Sequence, residues 1–147
     1  MHIRAAKTND VVKISELVTS LSHFYLTKSE NELPEWFAQT LTHSAFLKRL
    51  ESHEYSNFIY ELDGEIIGYL AMKGNSHLFH LFVSEKHQGK GLSRALWEFA
   101  TSVCISNTYT LRSSIYAIPV YRKFGFIESD TAGEKDGISF QPMELRV

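Results

Sequence analysis

The pattern of apolar and polar residues predicts helices in the first third of the chain. Between residues 11 and 21, apolar residues recur at every third or fourth position, which is the period of a helix with one buried face. Residues 22–31 are mostly polar and predict an irregular segment. A second helical region is expected to begin at Pro34, because proline suits the first turn of a helix.

From residue 58 onward, apolar residues alternate with polar ones, which is the period of a strand. Asp63-Gly64 and residues 74–76 are turn sequences, so three consecutive strands should form an antiparallel meander. The helical period then returns over residues 92–104, and a helix between two strands predicts that the strands are parallel. The predicted strands are residues 2–6, 58–62, 65–73, 78–83, 109–113, 126–129 and 138–147.

These elements predict a single α/β domain of the α+β type over residues 1–147. Its centre is a mixed, mostly antiparallel, twisted sheet of six to seven strands, and about four helices flank that sheet. A chain of this length can bury a substantial core.

Composition narrows the class of protein without identifying a function. The chain is 44% hydrophobic and 22% charged, and its net charge of −2 gives no bulk attraction to nucleic acid or to an anionic membrane. The first residues contain no apolar leader, and no apolar run approaches the length of a membrane span. The one cysteine, Cys104, cannot form an internal disulfide. We therefore expect a cytoplasmic protein without nucleic-acid or membrane partners.

A glycine-containing turn between the third of the consecutive strands and the next helix carries the first chemical signal. Gly89 and Gly91 lack the Cβ atoms that would keep a ligand from the backbone, and the N–H groups at the start of a helix suit a phosphate. Lys90 and Arg94 add positive charge. The spacing does not fit a P-loop, and Arg94 stands where the dinucleotide fingerprint needs its last glycine. The stretch predicts a phosphate cradle of another kind.

Two motifs resemble those of the GNAT superfamily of N-acetyltransferases. In the first, Gln/Arg-x-x-Gly-x-Gly/Ala, the motif positions are Gln88, Gly91 and Ser93, and the serine departs from the usual glycine or alanine. The second motif, Ala-x-x-x-Tyr-x-Lys-x-Gly-Phe, is matched by Ala117, Tyr121, Lys123, Gly125 and Phe126. The family commonly has an asparagine shortly before the alanine of this motif, roughly where this chain has Arg112.

The resemblance implies direct transfer of an acetyl group from acetyl-CoA to a primary amine of a small molecule or a peptide, without an acyl-enzyme. Acetyl-CoA is then a cosubstrate. Its pantetheine arm is expected on the backbone at the end of the central strand, and its pyrophosphate on the following turn. The residues implied to contact acetyl-CoA are Leu81, Phe82, Val83, Gln88, Gly89, Lys90, Gly91, Leu92, Ser93 and Arg94.

Three side chains are candidates for catalytic proton transfer. Tyr121 matches the family's frequent general acid, and its other interpretation is an aromatic residue at the edge of the core. The family often has a base near the start of the central strand, where this chain has His77, with His80 nearby. Strand alternation puts the two histidines on opposite faces unless a bulge intervenes. The alternative for each is a partly buried structural histidine.

The acceptor is less well defined by the sequence. Tyr25, Trp36 and Phe37 either line an acceptor pocket or belong to the core. No acidic cluster for a polyamine and no separate peptide-reading element is present, which favours a small molecule. The histidines have no ligand pair or matching cysteine, so we expect no metal site.

Two other classes of protein share some of these features. A non-catalytic acyl-CoA-binding or regulatory module would keep the cradle without turnover, and the Ser93 and Arg112 departures leave that interpretation open. A nucleotide-binding protein with a similar phosphate turn is a more distant alternative. In any of these classes, the final strands offer an edge at which a homodimer can form.

Overall fold

The computed structural model describes residues 2–21, 39, 41–135 and 138–147. Two short 3-10 turns, Thr8–Asp10 and Glu85–His87, accompany the regular elements. The helices are α1 (Val11–Ser20), α2 (His43–Glu51), α3 (Leu92–Val103) and α4 (Ile118–Lys123). The strands are β1 (His2–Ala5), β2 (Tyr55–Leu62), β3 (Glu65–Lys73), β4 (His77–Val83), β5 (Thr108–Ser113), β6 (Ile127–Glu128), β7 (Gly133–Lys135) and β8 (Ile138–Arg146).

The strands form one sheet in the order β1-β2-β3-β4-β5-β8-β6, with β7 paired to β8. Every pair is antiparallel except β4 and β5, which are parallel and are connected through α3. The predicted meander, the parallel crossover and the α/β fold class are thereby confirmed. The described sheet has eight strands rather than six or seven, because β7 is a three-residue polar strand that no alternation announces.

Side chains pack on both faces of the sheet. On one face, Leu96, Trp97 and Ala100 of α3 pack with Tyr121 of α4 over β2, β3, β4, β5 and β8. On the other face, apolar residues of α1 and Phe46 of α2 cover β2, β3 and β4. We call these the α3/α4 face and the α1/α2 face. Alternation along β2 and β3 explains the division, because successive strand residues point to opposite faces.

The sheet opens between its two central strands. β4 and β5 pair only at His77 with Thr110 and at Leu78 with Leu111. Both strands continue beyond these pairs, to Val83 and to Ser113, without further pairing to each other. Helices α3 and α4 follow β4 and β5 in the chain, so both helices begin beyond the open end of the two strands.

Some predictions concern residues outside the described part of the chain. They are the irregular segment 22–31, the helix start at Pro34, and the aromatic residues Tyr25, Trp36 and Phe37. Among the helices that are described, none is both long and apolar enough to cross a lipid bilayer.

Candidate functional site

The turn before α3 has the backbone geometry that the cradle requires. Gly89 and Gly91 have φ angles of 77° and 81°, a conformation that costs a non-glycine residue about 1–2 kcal/mol. A Cβ atom added to either glycine would meet no heavy atom within 4 Å. Gly91 is the N-cap of α3, where the first helical N–H groups lack helical partners. The open space therefore borders backbone donors at the positive end of a helix.

Gln88 ties this turn to the end of β4. Its side-chain Nε2 donates to the Val83 carbonyl at 3.1 Å, and its Oε1 accepts from the Tyr116 hydroxyl at 3.2 Å. Tyr116, at the turn before α4, therefore connects both sides of the opening through Gln88. The sequence motif singled out Gln88, but no local signal pointed to Tyr116.

The remaining residues predicted to contact acetyl-CoA have distinct surroundings. Lys90 is exposed beside the open space, whereas Leu92 is buried against Ile67 and Val83. Arg94 donates from Nη2 to the Lys123 carbonyl at 2.7 Å and lies over the Phe124 ring. In this arrangement the Arg94 guanidinium fastens α3 to the C-terminus of α4 instead of facing the glycine turn.

Tyr121 of α4 is 8% exposed and belongs to the core on the α3/α4 face. Its ring makes edge contacts with Phe124 and Phe126. Burial raises the pKa of its hydroxyl well above the usual range, so the group is protonated at neutral pH. A protonated hydroxyl is the form that a general acid needs. Tyr121 therefore packs as a core residue whose hydroxyl keeps its proton at neutral pH.

A β-bulge brings both candidate histidines to the α1/α2 face. The register of β3 against β4 shifts between Ala71 and Met72, opposite the peptide that joins Phe79 and His80. Both of those side chains therefore point to the same face. This is the exception to strand alternation that the sequence left open.

His80 lies among aromatic rings of the α1/α2 face. Its ring centroid is 5.8 Å from Phe46 and 5.1 Å from Phe82. Its Nε2 atom is buried and has no hydrogen-bond partner among the described residues. Burial, and then the charge of Arg49, lower the pKa of His80 well below the usual range, so its ring is neutral.

His77 precedes the bulge and is half-buried. Its Nδ1 atom is 2.8 Å from the Thr110 hydroxyl oxygen of β5. In the tautomer in which Nδ1–H donates to Thr110, the lone pair is on Nε2. Burial, followed by the charges of Arg112 and Lys73, lowers the pKa of His77. The lowered pKa favours the neutral form of the His77 ring at pH 7.

A buried polar network that the sequence did not indicate supports the same face. The Tyr69 hydroxyl donates to Asn57 Oδ1 at 2.6 Å, and Asn57 Nδ2 donates to the Arg49 carbonyl at 3.1 Å. The Arg49 guanidinium lies over the rings of Phe46 and Phe79. These contacts fix α2 against β2 and β3 beside His80. Within the described residues, no three His, Cys, Asp or Glu side chains form a group that could hold a metal ion.

Comparison with known proteins identifies a matching family. A family model described as "Acetyltransferase (GNAT) domain" matches residues 25–147. No curated protein has a significantly similar sequence.

Several solved structures have the same fold. PaiA N-acetyltransferase from Thermoplasma acidophilum in complex with coenzyme A is 18% identical, with a TM-score of 0.81 over 99% of this chain and 98% of that one. A ribosomal-protein-alanine N-acetyltransferase from Brucella melitensis is 16% identical, with a TM-score of 0.74 over the whole of both chains. A spermidine N-acetyltransferase from Vibrio cholerae is 16% identical, with a TM-score of 0.68 over 99% and 95%.

Proposed function

The chain belongs to the GNAT family of acetyltransferases, and we propose that it transfers the acetyl group of acetyl-CoA directly to the amine of a small molecule or a peptide. The observation that carries the proposal is the opening between β4 and β5, which leads to a glycine turn at the N-terminus of α3. One opening can bring a donor held by the turn next to an acceptor on the α1/α2 face. A small molecule is the favoured acceptor.

The donor side of the site is assigned to the end of β4 and the start of α3. Backbone groups of Leu81, Phe82 and Val83 border the opening and suit the amide-rich pantetheine arm of acetyl-CoA. The pyrophosphate fits beside Gly89 and Gly91, where free space meets the helix N-terminus. Acetyl-CoA supplies a thioester, which is activated toward attack by an amine.

The acceptor side is assigned to the two histidines. An amine must be uncharged to attack, and a neutral imidazole can take up the proton that the amine releases. We assign this role to His77, because its Nδ1 is engaged by Thr110 and its other nitrogen is left for the amine. The orphaned Nε2 of His80 makes it the second candidate, as a contact of the acceptor.

Tyr121 is assigned the role of general acid. The leaving group is the thiolate of coenzyme A, and Tyr121 keeps its proton at neutral pH because it is buried. Its proton would pass to the sulfur as the carbon–sulfur bond breaks.

The testing experiment combines calorimetry with a thiol-release assay. Acetyl-CoA, ATP and 3′-phosphoadenosine are titrated separately into the protein, and free thiol is then measured with a panel of amines. Binding of acetyl-CoA alone, with thiol release that depends on an amine, supports the proposal. Binding without turnover for any amine favours the non-catalytic acyl-CoA-binding module. Equal binding of all three ligands favours a nucleotide-binding protein.

Assembly and location are further parts of the proposal. β6 is a two-residue strand at the edge of the sheet, and Ile127 in it is 69% exposed. Pairing of this edge in a homodimer would cover it. A cytoplasmic location is supported by Cys104, which is buried with a free thiol.

A further inference from the structure

Arg112 lies at the rim of the opening between the central strands. Pairing of β4 with β5 ends at Leu111, so Arg112 is the first residue of β5 beyond it. Leu111 and Ser113 are buried while Arg112 is exposed. Since Leu111 packs on the α3/α4 face, the Arg112 side chain projects on the α1/α2 face. It is therefore on the same face of the sheet as His77 and His80.

The Arg112 guanidinium is held in place by an aromatic ring. Its carbon atom is 5.4 Å from the centroid of Phe140 in β8. The Phe140 ring in turn packs on Gly133 of β7, where an added Cβ atom would be 2.6 Å from the ring. Stacking on a ring leaves the edge of a guanidinium, which carries its N–H donors, available to another partner. Within the described residues, no carboxylate forms an ion pair with Arg112.

Among the described residues, the charge around the opening on this face is positive. The charges of Arg112 and Lys73 lower the pKa of His77, and the charge of Arg49 lowers the pKa of His80. No described carboxylate raises the pKa of either histidine. Glu144, the cross-strand neighbour of Thr110, is engaged by the Arg146 side chain at 2.7 Å. Such a surface repels a polyamine and attracts an acceptor with a negative charge.

We propose that Arg112, positioned by Phe140, binds a carboxylate of the acceptor, so that the enzyme prefers amines that also carry a carboxylate over diamines and neutral amines. This inference rests on the proposed function for the identity of the reaction. A guanidinium binds a carboxylate through two parallel N–H···O bonds, whereas a lysine offers only a point charge. Arg112 is thus a specificity-determining residue, and it takes no part in proton transfer.

The test uses matched acceptors and four proteins. Each ω-amino carboxylate, from glycine and β-alanine upward in chain length, is compared with its carboxamide and with the diamine of the same length. Binding is measured calorimetrically in the presence of coenzyme A, and kcat/KM is measured by thiol release. The proteins are wild type, Arg112→Gln, Arg112→Lys and Arg122→Gln. Arg122 is exposed on α4, where it pairs with Glu128 of β6, and its substitution serves as a control that also loses one arginine.

We expect wild type to prefer one carboxylate over its carboxamide by roughly ten- to hundred-fold, in line with a charge-assisted hydrogen bond. Arg112→Gln should remove the preference, Arg112→Lys should retain part of it, and Arg122→Gln should leave it unchanged. Equal binding of carboxylates and carboxamides by wild type overturns the inference, as does a preference that survives in Arg112→Gln. A carboxylate preference in binding without any thiol release supports the inference and counts against the proposed function instead.

Discussion

Substitution of Gly91 by alanine separates the role of the cradle from its contribution to stability. Gly91 has a φ of 81°, and a Cβ atom at that position would touch no protein atom within 4 Å. The cost to folding therefore comes from the backbone alone, about 1 kcal/mol after allowance for the stiffer unfolded chain. For a domain of this size that cost lowers Tm by roughly 2–4 °C.

Gly64 provides a matched control at the tip of the β2–β3 hairpin. It also has a φ of 81°, and its Cβ position is equally empty. Gly64→Ala should therefore lower Tm by about as much as Gly91→Ala, because the two substitutions impose the same backbone strain. The hairpin tip is at the end of the sheet where β4 ends, but the Gly64 carbonyl accepts a hydrogen bond from Lys13 Nζ of α1 at 2.7 Å, and no role in binding is assigned to Gly64.

Only the Gly91 variant should lose affinity for acetyl-CoA. The new methyl group occupies the space assigned to the pyrophosphate and keeps it from the helix N–H groups. Loss of one charge-assisted hydrogen bond, about 1.5–3 kcal/mol, raises Kd roughly 10- to 150-fold. Calorimetric titration of acetyl-CoA, with thermal melts of the same samples, measures both effects. If Gly91→Ala binds acetyl-CoA as wild type does, or if Gly64→Ala weakens binding equally, the cradle assignment is refuted.

Three further predictions concern proton transfer and stability. Tyr121→Phe should lower kcat roughly 100-fold while the Kd for acetyl-CoA stays within about twofold, and an unchanged kcat would exclude the acid role. Because burial and the charges of Arg112 and Lys73 lower the pKa of His77, kcat/KM should rise with pH through a pKa below the usual histidine range. Arg112→Gln should raise the pKa of His77 and so move this rise in kcat/KM to higher pH. A rise at the same pH in the variant as in wild type would exclude His77 as the base. The hydrogen bond from Arg4 lowers the pKa of Asp10, so its stabilisation is complete at neutral pH and is lost as pH falls through the folded-state pKa. Asp10→Asn should cost about 2–3 kcal/mol in urea unfolding at pH 7 and progressively less in acid, and a deficit independent of pH would contradict the linkage.

Local patterns explain why much of the fold could be predicted. The helical period of α3 marks the buried residues Leu92, Leu96 and Ala100, and the Asp63-Gly64 turn sets the β2–β3 hairpin. Both features depend on residues that are near each other in the chain. β7 is instead stabilised by its pairing with β8, and its own three residues carry no strand pattern.

The donor side of the candidate site could also be predicted from residues that are near each other in the chain, whereas the acceptor side could not. Gly89 and Gly91 act through their own backbone angles, and sequence alone can indicate that. The shared face of His77 and His80 depends on a bulge that is visible only in the register of β4 against β3. The stack of Arg112 on Phe140 joins residues 28 positions apart, and no single-sequence pattern announces it.

The opening between β4 and β5 has a consequence for the order of events in catalysis. The glycine turn is at the start of α3 on one face of the sheet, while His77 and Arg112 are on the other. In the proposed reaction the two substrates enter from opposite sides, and neither product has to wait for the other to depart. Coenzyme A should therefore compete with acetyl-CoA alone, and the acetylated product should compete with the amine alone. Initial-rate plots should therefore give intersecting lines, and the two products should be released in random order, because the two substrates bind from opposite faces of the sheet.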